Sequence, residues 1–196
     1  RPRELAGRRV GVTGVPSDDA VLRAIVAGDG GDARAVRRVT IGFQAVSALL
    51  ARRVDGATAF WNVEGVALRE RRPRARVFRL DEFGAPPYPE LVLCVTRRTL
   101  DEETSVVRAT VRALRRGYDE AIADPESALS ALLDRGATDR DALRRQFDAV
   151  APAFTAGAGR FGELDRAALR RWSGWESAEG LVEQPPDVAR AFAYGF

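Results

Sequence analysis

Trp61, Asn62, Val63 and Glu64 stand side by side in the sequence. The indole offers a flat apolar face, and a carboxylate three residues on accepts hydrogen bonds from an amine. Together they suit a planar heterocycle that carries an amino group. An ordinary structural reading fits the same residues: Trp61 in a core, Asn62 as a helix N-cap and Glu64 in the first turn. A second group is Gly14, Val15, Pro16, Ser17, Asp18 and Asp19. It offers backbone N–H groups, and Ser17 reads as the N-cap of the helix that follows. The glycine spacing is neither a P-loop nor a dinucleotide fingerprint. Asp18 and Asp19 stand where an anion would sit, so a ligand there is expected to be neutral or to bring donors. Complementing the helix dipole explains the two aspartates equally well. Gln44 lies at the carboxyl end of an expected strand. Tyr88, among prolines, either stacks on a ligand or braces a linker. The candidate binding set is Ser17, Asp18, Gln44, Trp61, Asn62, Glu64 and Tyr88, with no catalytic residue and no metal ligand.

What the chain lacks narrows its chemistry further. It has 196 residues with 31 basic ones, all Arg, and it contains no His, no Met and one Cys, Cys94. No Ser-His-Asp or Cys-His triad can be built from these residues. Neither a His-bearing nor a Cys-rich zinc site is available. No Lys is present to form a Schiff base, and one Cys makes no intrachain disulfide. No cofactor is expected. The formal charge of +3 invites a nucleic-acid reading. The arginines, however, occur in pairs along the whole chain among Asp and Glu, as solvated faces do, and no nucleic-acid partner is expected. Cys94 sits in an apolar run and reads as inert packing. Phe154, Phe161, Trp172 and Trp175 read as core.

The candidate residues need elements to hold them. Residues 9–14 are a short β-rich run ending in glycine. Val21, Leu22, Ile25 and Val26 then recur at helical spacing up to a stop at residues 28–32. Residues 36–43 read as a second strand and 44–53 as a short helix with Val46, Leu49 and Leu50 on one face. Residues 54–61 read as a turn and a third strand, 63–71 as a helix stopped by Pro73, and 75–80 as a fourth strand. Strands alternating with helices predict βαβ units and a mainly parallel sheet. Ligands of such sheets gather at the carboxyl ends of the strands, where most of the candidates fall.

Three prolines, Pro86, Pro87 and Pro89, mark the strongest linker and divide residues 1–88 from 89–196. Leu91, Val92, Leu93, Cys94 and Val95 follow as a wholly apolar strand, as expected if both faces are buried. After Thr99 the pattern is helical. Val107, Val111, Leu114, Tyr118 and Ile122 share one face, and Asp124-Pro125 starts a helix with Leu129, Leu132 and Leu133 inside. Thr138 to Asp141 resembles a capping box ahead of Leu143, Phe147 and Val150. A glycine-rich loop at 156–162, a helix at 165–175 and a short helix after Pro185-Pro186 complete the chain. This half supplies no second strand, so Leu91 to Val95 is expected to pair with another copy of the chain. No apolar run approaches the roughly 20 residues of a membrane span. The first residues show neither Met nor a signal-peptide pattern, so the chain is expected to be a piece of a longer protein.

Four segments carry a resemblance: LAGRRVGVTGVPSDDAVLRAIV, IGFQAVSALLARRVDGATAFWNVEGVALRER, GAPPYPELVLCVTRRTLDEE and RALRRGYDEAIADPESALSALL. They follow in order and are succeeded by Trp172, Gly180-Leu181 and Phe192. In this order the chain resembles, over essentially its whole length, the NMT1/THI5-like group of periplasmic binding proteins. These are type II solute-binding proteins of ABC importers for thiamine-pyrimidine precursors and related compounds. The resemblance implies an α/β fold of two lobes hinged by crossover strands, with the ligand clamped between them. Residues 1–88 would be the second lobe, Leu91 to Val95 the strand crossing back, and the rest of 89–196 the C-terminal helices of an incomplete first lobe.

Members of the group that take thiamine precursors hold an aminopyrimidine by aromatic stacking and a carboxylate. Trp61 and Glu64 are the matching residues, with Asn62 beside them. Relatives that bind sulfonates use anion-friendly loops, which Asp18 and Asp19 argue against. The resemblance also implies a permease partner, an extracytoplasmic location and, in the intact parent, a secretion signal with a lipid anchor. The same fold includes a pyrimidine synthase that consumes its own His and uses a Lys-bound cofactor, and ligand-sensing domains of transcriptional regulators. These stand as alternatives. The residues present favour binding without catalysis.

Overall fold

Val10 and Val12 are buried along β1 (Arg9–Val12), the central strand of a three-stranded sheet. β2 (Arg37–Thr40) pairs with it in parallel, Arg9 opposite Arg37 and Val12 opposite Thr40. β3 (Gly56–Ala57) pairs on the other side, also parallel, Val10 opposite Gly56. The order β2-β1-β3 is what right-handed βαβ crossovers produce when each strand is followed by a helix. Those helices are α1 (Ser17–Gly28), α2 (Ala45–Leu50) and α3 (Glu64–Arg71).

The computed structural model describes residues 1–155 and 161–196, so most of the glycine-rich loop expected at 156–162 lies outside the described residues. The chain divides into two units, Arg1–Tyr88 with Arg170–Pro186, and Pro89–Leu169 with Asp187–Phe196. Residues 170–186, which the sequence groups with the helical half, thus belong to the first unit.

The core of the first unit is Val10, Leu22, Val26, Ala33 and Val36, with Leu5 packed against it. The valines and leucines among them contribute about 1.5–3 kcal/mol each when fully buried. α1 is amphipathic at the expected spacing, with Ala20, Leu22, Ala24 and Val26 inside. Its last residue, Gly28, lies against the 3-10 turn Leu80–Phe83, where a Cβ would stand 2.0 Å from the Phe83 carbonyl oxygen. α2 is shorter than the sequence suggests and buries Ala45 and Ala48, while Leu50 is exposed. The small residues are thus the most buried, while Val46 and Leu49 of the expected face are half-buried.

Two expected strands do not form. Among the described residues, 75–79 carry no strand and run into the Leu80–Phe83 turn. β3 is only two residues long and offers little backbone to a neighbour, and Arg76 and Arg79 pair with Glu4 and Asp81. Residues 91–95 likewise carry no strand. They are exposed, Leu91 by 87% and Leu93 by 51%. Cys94 is a free and exposed thiol, not the packed side chain expected from its neighbours.

The second unit is helical: α4 (Arg97–Glu102), α5 (Thr104–Ala123), α6 (Pro125–Leu133), α7 (Arg140–Val150), the first residues of α8 (Arg166–Ala178) and α9 (Val188–Ala191). Side-chain caps fix where most of them start. Asp124 Oδ1 accepts from Ser127 N at 3.1 Å, and Asp139 Oδ1 accepts from Ala142 N at 2.8 Å. The cap of α7 is thus Asp139, one residue beyond the expected Thr138. Glu126 joins α6 to α7 by ion pairs with Arg140 and Arg144, whose hydrogen bonds hold its carboxyl below the usual range. Tyr118 stacks on Phe161 at 3.5 Å between ring centroids, with Phe154 edge-on to both. No helix among the described residues is long and apolar enough to cross a membrane.

Candidate functional site

Because the three strands are parallel, their carboxyl ends open on one edge of the sheet, at residues 13–16, 41–44 and 58–63. Asp18 ties two of these loops together. Its Oδ2 accepts from Thr13 Oγ1 at 2.7 Å, Gly14 N at 2.8 Å and Val15 N at 3.2 Å. Its Oδ1 accepts from Thr58 Oγ1 at 2.9 Å, beyond the end of β3. The carboxylate is buried. Charge-assisted bonds of this kind are about twice as strong as neutral ones, and here they satisfy the loop's own donors. The loop can turn so tightly because Gly14 takes a φ of +101°.

Asp18 thus does the loop's capping work from inside the first turn of α1. Ser17 is the first residue of that helix, exposed and without a capping bond, and Pro16 occupies the N-cap position. The expected Ser17 cap is therefore replaced by Asp18 reaching backward. Asp19 points elsewhere and forms an ion pair with Arg38 of β2.

Trp61 and Asn62, on the loop after β3, and Glu64, the first residue of α3, are half-buried. The Phe60 carbonyl accepts from Val63 N and Gly65 N, at 3.2 and 3.1 Å, which winds the chain into α3. Glu64 Oε2 reaches back to Phe60 N at 3.1 Å. The N-cap position is held by Val63, so Asn62 is not the cap the structural reading expected. Nor is Trp61 among the buried core.

The Arg79 guanidinium lies 5.6 Å from the Trp61 ring centroid. It is held there by a two-point pair with Asp81, Nε to Oδ1 at 3.1 Å and Nη2 to Oδ2 at 2.9 Å. The hydrogen bonds from Arg79 hold the Asp81 carboxyl below its usual range. A guanidinium over a half-buried indole is worth about 0.5–2 kcal/mol and orients the ring. The sequence reading missed this pair. Its signal was the two-residue spacing, which sets both side chains on one side of an extended backbone.

Gln44 is exposed at the start of α2, and its Oε1 accepts weakly from Arg53 Nη2 at 3.4 Å. Phe43 and Phe60, on the same loops, expose 73% and 45% of their surface. Tyr88 is held differently from the other six candidates. Its ring stacks on Trp172 at 3.9 Å, and Trp172 stacks on Trp175 at 4.7 Å. The strand-edge loops thus gather Ser17, Asp18, Gln44, Trp61, Asn62 and Glu64, while Tyr88 belongs to an aromatic ladder. Among the described residues no group of three or more His, Cys, Asp or Glu side chains is placed to hold a metal.

The comparisons with known proteins agree with this architecture. A relative from Halalkalibacterium halodurans, named formylaminopyrimidine-binding protein, is 26% identical over 198 aligned positions. The alignment takes in 98% of this chain and 60% of the relative, so the chain spans less than two thirds of that protein's length. A family model described as NMT1/THI5 like matches residues 1–128, which include the whole sheet, its helices and all seven candidate residues. With well over half of its residues matched, the chain belongs to the NMT1/THI5-like family.

Proposed function

We propose that this chain is the ligand-binding part of a solute-binding protein, and that it takes a small amino-bearing heterocycle of the pyrimidine class at the carboxyl edge of its parallel sheet. The observation that carries the reading is the turn from Phe60 to Glu64. It holds a half-buried indole, backed by Arg79, and a half-buried carboxylate one helical turn away. Trp61 stacks on the ring of the ligand. Glu64 uses Oε1 to accept from its amino group while Oε2 stays on Phe60 N, and Asn62 hydrogen-bonds a ring nitrogen. Ser17 and Gln44 contribute exposed polar groups from the neighbouring loops. Asp18, its oxygens taken by the chain, acts by fixing the loop, and Tyr88 acts from the aromatic ladder. The relative's name supports a pyrimidine and a binding role in place of a catalytic one. The intact protein would work outside the cytoplasm, anchored by lipid, and would deliver its ligand to an ABC permease.

Calorimetry tests the reading with formylaminopyrimidine, thiamine and riboflavin, on this chain and on the intact protein. Formylaminopyrimidine is expected to bind the intact protein, and Glu64→Ala to weaken it at least tenfold, about 1.4 kcal/mol. Binding of none of the three compounds rejects the ligand class. Unchanged affinity in Glu64→Ala rejects the site.

A further inference from the structure

The second unit carries a concentration of charge that pyrimidine binding does not use. Arg108, Arg112, Arg115 and Arg116 of α5 line one open groove of about 560 Å³, together with Gly195 and Phe196. On a helix, residues 108, 112, 115 and 116 are four, seven and eight apart and share a face. That face adjoins the apolar stripe of Val107, Val111 and Leu114. No Asp or Glu side chain lines the groove, and among the described residues none of the four arginines forms an ion pair. Asp119, one turn beyond Arg115, pairs with none of them.

Two of the guanidinium groups are already oriented. Arg108 Nη1 donates to the Gly195 carbonyl at 2.9 Å, and its guanidinium lies 4.7 Å from the Phe196 ring centroid. Arg115 Nε donates to the Phe161 carbonyl at 3.2 Å. Each has five N–H donors and spends one on these bonds, so four remain for a ligand. Arg112 and Arg116 donate to no described residue. Like charges along one groove repel one another, and a multiply charged anion offsets several of them at once, as a singly charged one does not. From Arg108 to Arg116 the helix rises roughly 12 Å, which suits a chain of phosphoryl groups better than a single one.

We propose that this face of α5 is a second ligand site, which takes a soluble oligophosphate group of at least two phosphoryl units. Its lining residues all belong to the second unit. Calorimetry at low salt on the full chain tests it with inorganic pyrophosphate, tripolyphosphate and orthophosphate. Pyrophosphate and tripolyphosphate are expected to bind at least tenfold more tightly than orthophosphate. Arg112→Gln combined with Arg116→Gln, neither of which holds another residue in place, is expected to weaken them at least tenfold. Arg71→Gln combined with Arg72→Gln, in the other arginine-dense stretch, is expected to change nothing. Equal loss in both double variants, binding only to vesicles containing phosphatidylglycerol, or no heat with either oligophosphate overturns the proposal.

Discussion

Asp18 shows how one side chain can read as a ligand contact in sequence and work as a brace in the fold. An aspartate in the first turn after a strand fits either role, because both need a carboxylate aimed at N–H groups. Sequence alone left that choice open, since the deciding partner, Thr58, lies 40 residues away. Four donors now converge on one buried group, two of them backbone amides. Asp18→Ala is expected to destabilise the protein by roughly 2–4 kcal/mol, because it leaves those donors unpaired in a buried place. Asp18→Asn should recover part of the loss, since its one carbonyl oxygen still accepts while its amide opposes the remaining donors. Urea unfolding of the three proteins checks this. Equal stabilities would mean that water satisfies the loop as well as Asp18 does. Trp61 presents the same ambiguity: it is half-buried and Val63 holds the N-cap position, while Glu64 stands in the first turn of α3, as its structural reading expects.

At the scale of elements, the alternation of strands and helices was legible wherever a strand had a partner. β1, β2 and β3 fall within the β-rich runs and the helices fall between them, because period-2 and period-3.6 patterns reflect burial on a sheet and on a helix. Residues 75–79 and 91–95 have the same local character and form no strand. A strand is made by its ladder, and local β-propensity says nothing of whether a neighbour is there. Helix ends were read to within a few residues, the errors falling where a cap is supplied from elsewhere, as with Ser17. The contact of α1 with the Leu80–Phe83 turn was not legible at all, since Gly28 reads as a simple stop signal. Its real constraint is closeness: the Phe83 carbonyl occupies the place of a Cβ. Gly28→Ala must therefore push the turn away, at an expected cost of about 1–3 kcal/mol. Gly30→Ala is a useful contrast, because Gly30 has open space around its Cβ position but a φ of +78°. Its penalty should be purely conformational, about 1 kcal/mol. Thermal unfolding that ranks Gly28→Ala the milder of the two would show that the turn yields easily.

At the scale of the whole chain, both units leave large apolar side chains exposed, and among the described residues only 91–95 expose them in an unbroken run. The first closes around Val10, Leu22, Val26 and Val36. The second leaves Leu91, Val92, Leu93 and Val95 exposed by 87, 45, 51 and 44%, and Leu114, Ile122 and Leu132 by 42, 42 and 49%. A run of consecutive exposed apolar residues outside any backbone ladder is a template for another strand. Residues 91–95 are therefore expected to bring copies of the isolated chain together, edge to edge. Sedimentation should then show an average mass that rises with concentration, and Leu91→Asp combined with Leu93→Asp should return the chain to a monomer. The pairing should also slow amide hydrogen exchange at 91–95 in the associated state, which simple hydrophobic clumping through Leu114 and Ile122 would not do. Two results would count against the edge: a monomer at every concentration, or association that survives the double aspartate variant.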